Sequence, residues 1–201
     1  YLRQTPQQAN AELDDMGFEY ELELRDYQKE AILSVEHAIK EGKDKALVAM
    51  ATGTGKTRVA ASVIDFLSKA GWVKRVLFLA DRNALIHQAK TSLNDCLPNL
   101  PAVDLTKDKE NDSSRIVFCT YQTMINMIDG EVDGQNRFYG PGHFDLIIFD
   151  EIHRSVYNRY RAIFNYFDGL RLGLTATPRS ETDRDTYGLF HMEPGVPTYA
   201  Y

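Results

Sequence analysis

Apolar positions along this chain fall into two alternating kinds of run. Blocks such as Val76-Leu77-Phe78-Leu79 and Leu146-Ile147-Ile148-Phe149 carry no polar interruption, the pattern of strands buried on both sheet faces. On this basis strands are predicted over 46–51, 75–80, 115–120, 145–150 and 171–175. Between them helices are predicted over 55–69, 83–93, 122–127 and about 159–167. Upstream, Asp26 can cap a helix running to about Glu41, with Ala31, Ile32, Val35 and Ile39 on one face and Gly42 as its stop. Strand, helix, strand repeated in this way predicts an α/β fold: a mostly parallel sheet with helices on both faces and right-handed crossovers. Two stretches break the rhythm. Residues 106–114 are charged and short-sided, and 129–142 are rich in Gly with Asn136 and Pro141; both read as surface loops. Residues 1–23 are polar and mixed, predicting an arm or linker ahead of a single α/β domain over 24–201.

Composition narrows the setting. A chain of 201 residues suits one domain with a proper core. The net charge of −6 supplies no global field for a polyanion, so any nucleic-acid contact has to rest on a local face. Cys96 and Cys119 are the two cysteines and form no CxxC pair, which predicts a reducing, cytoplasmic setting without structural zinc. The apolar runs are strand-sized, predicting no membrane span and no signal peptide. A chain that starts without Met and stops on Pro197-Thr198-Tyr199-Ala200-Tyr201 reads as a piece of a longer protein.

The chemistry is carried by two segments. Met50-Ala51-Thr52-Gly53-Thr54-Gly55-Lys56-Thr57 lies between a predicted strand and a predicted helix, the setting of a phosphate-cradling loop. In such a loop Gly53 and Gly55 permit close backbone approach, and Thr52 and Thr54 complete the turn. Lys56 reaches the β- and γ-phosphates, and the Thr57 hydroxyl binds Mg²⁺. The strict pattern has Gly where this chain has Met50. Far downstream, a buried-type strand ends in Asp150-Glu151-Ile152-His153, delivering two carboxylates to the edge where open α/β sheets bind ligands. Asp150 is then the Mg²⁺ ligand, and Glu151 orients or deprotonates the attacking water. In this order the two segments predict a site that binds ATP and Mg²⁺ and hydrolyses the nucleotide, with Lys56 and Glu151 catalytic.

Further segments resemble superfamily 2 helicases and translocases. Leu24-Arg25-Asp26-Tyr27-Gln28 is similar to the family's adenine-reading motif, which implies that Gln28 bonds the base edge with Arg25 or Tyr27 packed near the ring. Leu79-Ala80-Asp81-Arg82-Asn83 and Thr120-Tyr121-Gln122-Thr123 resemble the loops that touch the tracked strand, implying contacts from Arg82, Asn83, Thr120, Tyr121 and Gln122. Thr175-Ala176-Thr177-Pro178 resembles the motif coupling hydrolysis to grip, and His153 would link Glu151 to it. Within the superfamily the resemblance is to the motor (R) subunit of type I restriction enzymes, through Met-Ala-Thr-Gly-Thr-Gly-Lys-Thr, Ala-Asp-Arg-Asn, Asp-Glu-x-His-Arg and Leu-Thr-Ala-Thr-Pro. Met50 is ordinary there, whereas Ile152 departs from the usual Ala. The resemblance implies a RecA-like P-loop lobe and a double-stranded DNA partner. It also implies a second RecA-like lobe supplying arginine fingers, and specificity and methylation subunits of a restriction complex.

Such a motor also carries a nuclease domain, which residues 1–23 cannot contain. The lobe by itself is therefore expected to turn over ATP poorly. Two other readings use the same residues: an RNA or DNA-repair helicase of the superfamily, and a nucleotide-binding module without mechanical output. The coupling motif and the Gln28 segment count against the second. His37, His87, His143 and His191 show no metal-ligand spacing and read as surface or packing residues. Tyr157-Asn158-Arg159-Tyr160-Arg161 offers aromatic and basic groups that could touch nucleic acid, but a solvated helix face is the favoured reading.

Overall fold

The computed structural model describes residues 22–129, 139–152, 154–176, 184–193 and 196–201. In chain order the elements are α1 (Asp26–Lys40), β1 (Lys45–Ala49), α2 (Lys56–Lys69), β2 (Val76–Ala80), α3 (Asn83–Cys96), β3 (Ala102–Asp104) and β4 (Ile116–Thr120). They continue with α4 (Tyr121–Asp129), β5 (Leu146–Phe149), α5 (Arg154–Tyr166), β6 (Leu170–Thr175), α6 (Arg184–Leu189) and β7 (Tyr199–Ala200). The seven strands form one sheet in the order β3-β4-β2-β5-β6-β1-β7, and every pairing is parallel. All strands therefore end at the same edge, and β1 and β5 are separated there only by β6.

Alternation along each strand divides the core. Val76, Phe78, Ala80, Ile116, Phe118, Leu146 and Ile148 point to the layer holding α1, α2 and α3. Leu77, Leu79, Val117, Cys119, Ile147 and Phe149 point to the layer holding α4, α5 and α6. Burial on both faces is why these strands read as continuous apolar runs. Gly173 on β6 lies under the Phe190 ring, where a Cβ would overlap the ring and crowd Leu47. At the opposite edge from the strand ends, Arg171 donates to the carbonyls of Phe164 (3.1 Å) and Phe167 (2.6 Å) and to Asp44 Oδ2 (2.8 Å). It thus closes the end of α5 against the entrance of β6.

Several details depart from the sequence reading. β3 and β7 span three and two residues, too short for any period to register. α5 begins at Arg154 rather than near 159, because two helical pieces meet at Tyr160 (φ −120°, ψ 20°); the first piece is polar and carries no apolar repeat. α6 lies in a stretch with no predicted element. The predicted loop over 106–114 is free of helix and strand. Among the described residues no helix is long and apolar enough to cross a membrane.

Candidate active site

The phosphate loop is built between β1 and α2. Met50 is 1% exposed and sits in the core layer of the first three helices. Its N–H donates to Thr175 O at 2.9 Å. The position out of the glycine pattern thus anchors the loop with an apolar side chain. Beyond it the chain turns on Thr54, whose N–H and hydroxyl both donate to Ala51 O (3.3 and 2.6 Å). Gly53 (φ +80°) and Gly55 (φ +88°) are left-handed, a conformation that disfavours other residues. Gly55 is the N-cap of α2 and no side chain caps the helix. The positive end of α2 is therefore presented at the loop, the arrangement that suits phosphate. Thr52 is exposed and Thr57 half-buried.

Behind the loop, α1 braces it. Gln28 is 4% exposed. Its amide nitrogen donates to Thr54 O at 2.9 Å and its amide oxygen accepts from Arg25 N at 3.0 Å. A Cβ on Gly55 would overlap that amide nitrogen. The Tyr27 hydroxyl also donates to Thr54 O (3.0 Å), and Arg25 Nη1 donates to the Tyr27 hydroxyl at 3.2 Å. The Tyr27 ring stacks on Tyr201 with centroids 4.1 Å apart. Gln28 thus holds the phosphate loop itself, a contact that its residue type did not announce.

The acid pair stands at the same edge. The backbone N–H of Asp150 donates to Leu79 O (2.9 Å) and that of Ile152 to Leu174 O (3.1 Å), so the turn is pinned between β2 and β6. Glu151 adopts φ +51°, a left-handed conformation that costs a non-glycine residue roughly 1–2 kcal/mol. Its N–H donates to Asp150 Oδ1 at 3.0 Å. Lys56 Nζ lies 3.2 Å from Glu151 Oε1 and 3.3 Å from Met50 O. Burial, and then the neighbouring Glu151 charge, push the Asp150 carboxyl up to about 6, against the pull of Lys56. An added positive charge at this carboxylate is therefore favoured.

The residues fit a Mg²⁺–nucleotide. Among the described residues no group of three or more His, Cys, Asp or Glu side chains is placed to enclose a metal. An ion here would be held by the Thr57 hydroxyl, Asp150 and oxygens of the phosphates, the usual division of labour for Mg²⁺.

Of the other predicted site residues, Arg82 and Asn83 are exposed at the start of α3, with Arg82 Nε 3.9 Å from Asp81 Oδ2. Thr120 is buried and caps α4: its hydroxyl accepts from Thr123 N (3.2 Å) and donates to Thr123 Oγ1 (2.9 Å). Gln122 is exposed and bonds Asn126. Tyr121 corrects the sequence reading. It is 1% exposed, so it presents nothing to a strand, and its hydroxyl donates to the carbonyl of Asp150 at 2.9 Å. An aromatic beside strand-contact residues reads from sequence as a surface group, but here it begins a helix and sits on that helix's inward face with Met124. Thr175 ends β6 beside Met50, followed by Ala176. His153 and Thr177 lie outside the described residues.

A parallel sheet with a phosphate loop after β1 and an Asp-Glu pair after β5 defines a RecA-like lobe of the superfamily 2 helicase type. The family profile described as the type III restriction enzyme, res subunit, matches residues 21–180. The EcoAI type I restriction enzyme endonuclease subunit of Escherichia coli is 38% identical over 184 residues, covering 88% of this chain and 22% of that protein. A nuclease-deletion mutant of the type ISP restriction-modification enzyme LlaGI, solved with a DNA substrate mimic, superposes with a TM-score of 0.59 at 26% identity. That match covers 78% of this chain and 18% of LlaGI. The Sulfolobus solfataricus SWI2/SNF2 ATPase core with double-stranded DNA shares the fold, with a TM-score of 0.67 at 19% identity over 90% of this chain and 38% of that one. The chain belongs to the family of type III restriction enzyme res subunits. It spans about a fifth of the length of the curated relatives it matches.

Proposed function

We propose that the chain is the first RecA-like lobe of an ATP-dependent double-stranded DNA translocase, the motor of a type I restriction (R) subunit working in the cytoplasm. The observation that carries the reading is the convergence at one sheet edge of Lys56, from the uncapped start of α2, with Glu151, 3.2 Å away on the turn after β5. Lys56 and the loop of Thr52, Gly53, Thr54 and Gly55 bind the triphosphate. Thr57 and Asp150 hold Mg²⁺, which supplies charge neutralisation at the phosphates. Glu151 orients the attacking water and takes its proton. Arg25 and Tyr27 form the base end of the site, and Gln28 braces the phosphate loop beside them.

The DNA backbone is tracked by Arg82 and Asn83 at the start of α3 and by Gln122 at the start of α4, while buried Thr120 caps that helix and so holds Gln122 in place. Thr175, Ala176, Thr177 and His153 couple nucleotide state to that grip. A second lobe of the longer protein completes the site with arginine, and specificity and methylation subunits select the DNA. A finger of that kind is worth about 10³–10⁵ in rate, so residues 1–201 alone turn over ATP slowly even with duplex present.

The decisive experiment is Lys56→Ala in the full-length protein, assayed for duplex-stimulated ATP hydrolysis and for triplex displacement by translocation. Loss of one such electrostatic contact lowers kcat by about 10²–10³, and displacement stops with it. Retained turnover would remove Lys56 from the site.

A further inference from the structure

The Tyr121 hydroxyl performs a task that no strand contact requires. Its ring lies nearly parallel to that of Tyr160, 5.2 Å between centroids, and to that of Phe149, 6.4 Å away. From this stack the hydroxyl donates to Asp150 O at 2.9 Å. That carbonyl belongs to the peptide joining Asp150 to Glu151, the residue held at φ +51°. Fixing a carbonyl fixes the plane of the peptide that follows, and so the direction in which the Glu151 side chain leaves the turn. The remaining backbone bonds of the turn go to β2 and β6, which the sheet holds still. Tyr121 belongs instead to a helix.

The bond is durable. The phenol is 1% exposed, so water has little access to compete for the bond. A buried phenol that lost this acceptor would remain unsatisfied. The first turn of α4 and the acid turn therefore move together. That first turn also carries Thr120 and exposed Gln122 on either side of Tyr121.

Resting on the reading of this lobe as a DNA motor, we propose that Tyr121 is a positioning residue: its hydroxyl, seated on the Asp150 carbonyl, aims Glu151 at the attacking water, and the turn of α4 that carries it also carries exposed Gln122, through which bound DNA acts on the acid turn. Strand contact and hydrolysis are then joined through one side chain on the far face of the sheet from α2.

The test is Tyr121→Phe in the full-length protein, which keeps the ring stack and deletes the hydroxyl. ATP turnover is measured against both ATP and duplex concentration, with kcat normalised to the number of nucleotide-binding sites so that unfolded protein does not count. At saturating duplex kcat falls about tenfold, in line with the rate penalty of a displaced catalytic group. KM for ATP and the duplex concentration for half-maximal stimulation stay within about twofold. An unchanged normalised kcat overturns the proposal. So does a raised half-stimulating duplex concentration with kcat intact, which would make Tyr121 a direct strand contact. The motor reading fails separately, through turnover that survives Lys56→Ala, whatever Tyr121→Phe does.

Discussion

Replacing Asp150 by Asn should stabilise the chain while abolishing its chemistry, by an amount that depends on pH. The carboxyl is half-buried and raised from an ordinary 3.8 to about 6. A rise of that size is worth about 3 kcal/mol between the protonated and charged forms. Between about pH 4 and 6 the folded chain retains a proton that the unfolded chain has released. Stability contributed at this residue is therefore lost as pH rises through that window, and the full penalty persists above it. Asn matches the shape and keeps an oxygen for the Glu151 N–H, a 3.0 Å bond in the parent, but bears no charge.

Urea unfolding in buffer without nucleotide or divalent cation measures the difference. At pH 8 Asp150→Asn is more stable by about 2–3 kcal/mol, equivalent to roughly 5–10 °C in Tm for a chain of this size. Near pH 4 the two proteins converge, while ATP turnover of the full-length variant falls to background at every pH. A gain equal at pH 4 and pH 8, or a loss at pH 8, would refute the electrostatic account of this carboxylate.

Two further substitutions separate nucleotide binding from folding. Gly55→Ala imposes a left-handed alanine and drives a methyl group into the Gln28 amide. It should weaken ATP binding at least tenfold by calorimetry, with a stability loss of about 1–2 kcal/mol. Arg171→Met keeps the aliphatic bulk and removes donors to Phe164 O, Phe167 O and Asp44. It should destabilise the chain by about 2–3 kcal/mol in urea and leave nucleotide affinity unchanged, because it lies at the sheet edge away from the phosphate loop.

The parallel sheet was legible because its strands are buried on both faces, so residues such as Val76 to Leu79 show an uninterrupted apolar block. The phosphate loop and the acid pair were legible because their chemistry requires fixed residue types at fixed spacing. What escaped lacked either signal. β3 and β7 are too short to show a period, and the polar start of α5 has no apolar face to read. The role of Arg171 depends on carbonyls four and seven residues upstream, and that of Tyr121 on a carbonyl twenty-nine residues downstream. Backbone acceptors leave no mark on sequence. Met50 illustrates the converse: a departure from the glycine pattern becomes intelligible once its side chain is seen in the core.

The sheet divides the core into two layers, and substitutions in separate layers would ordinarily combine independently. The turn at Asp150 and Glu151 removes that independence, because Lys56 meets it from the layer of α2 and Tyr121 from the layer of α4. Changes in one layer are therefore epistatic with changes in the other. A variant damaged at the phosphate loop has little left to lose at Tyr121, and second-site revertants of a misaimed turn can arise on either side of the sheet.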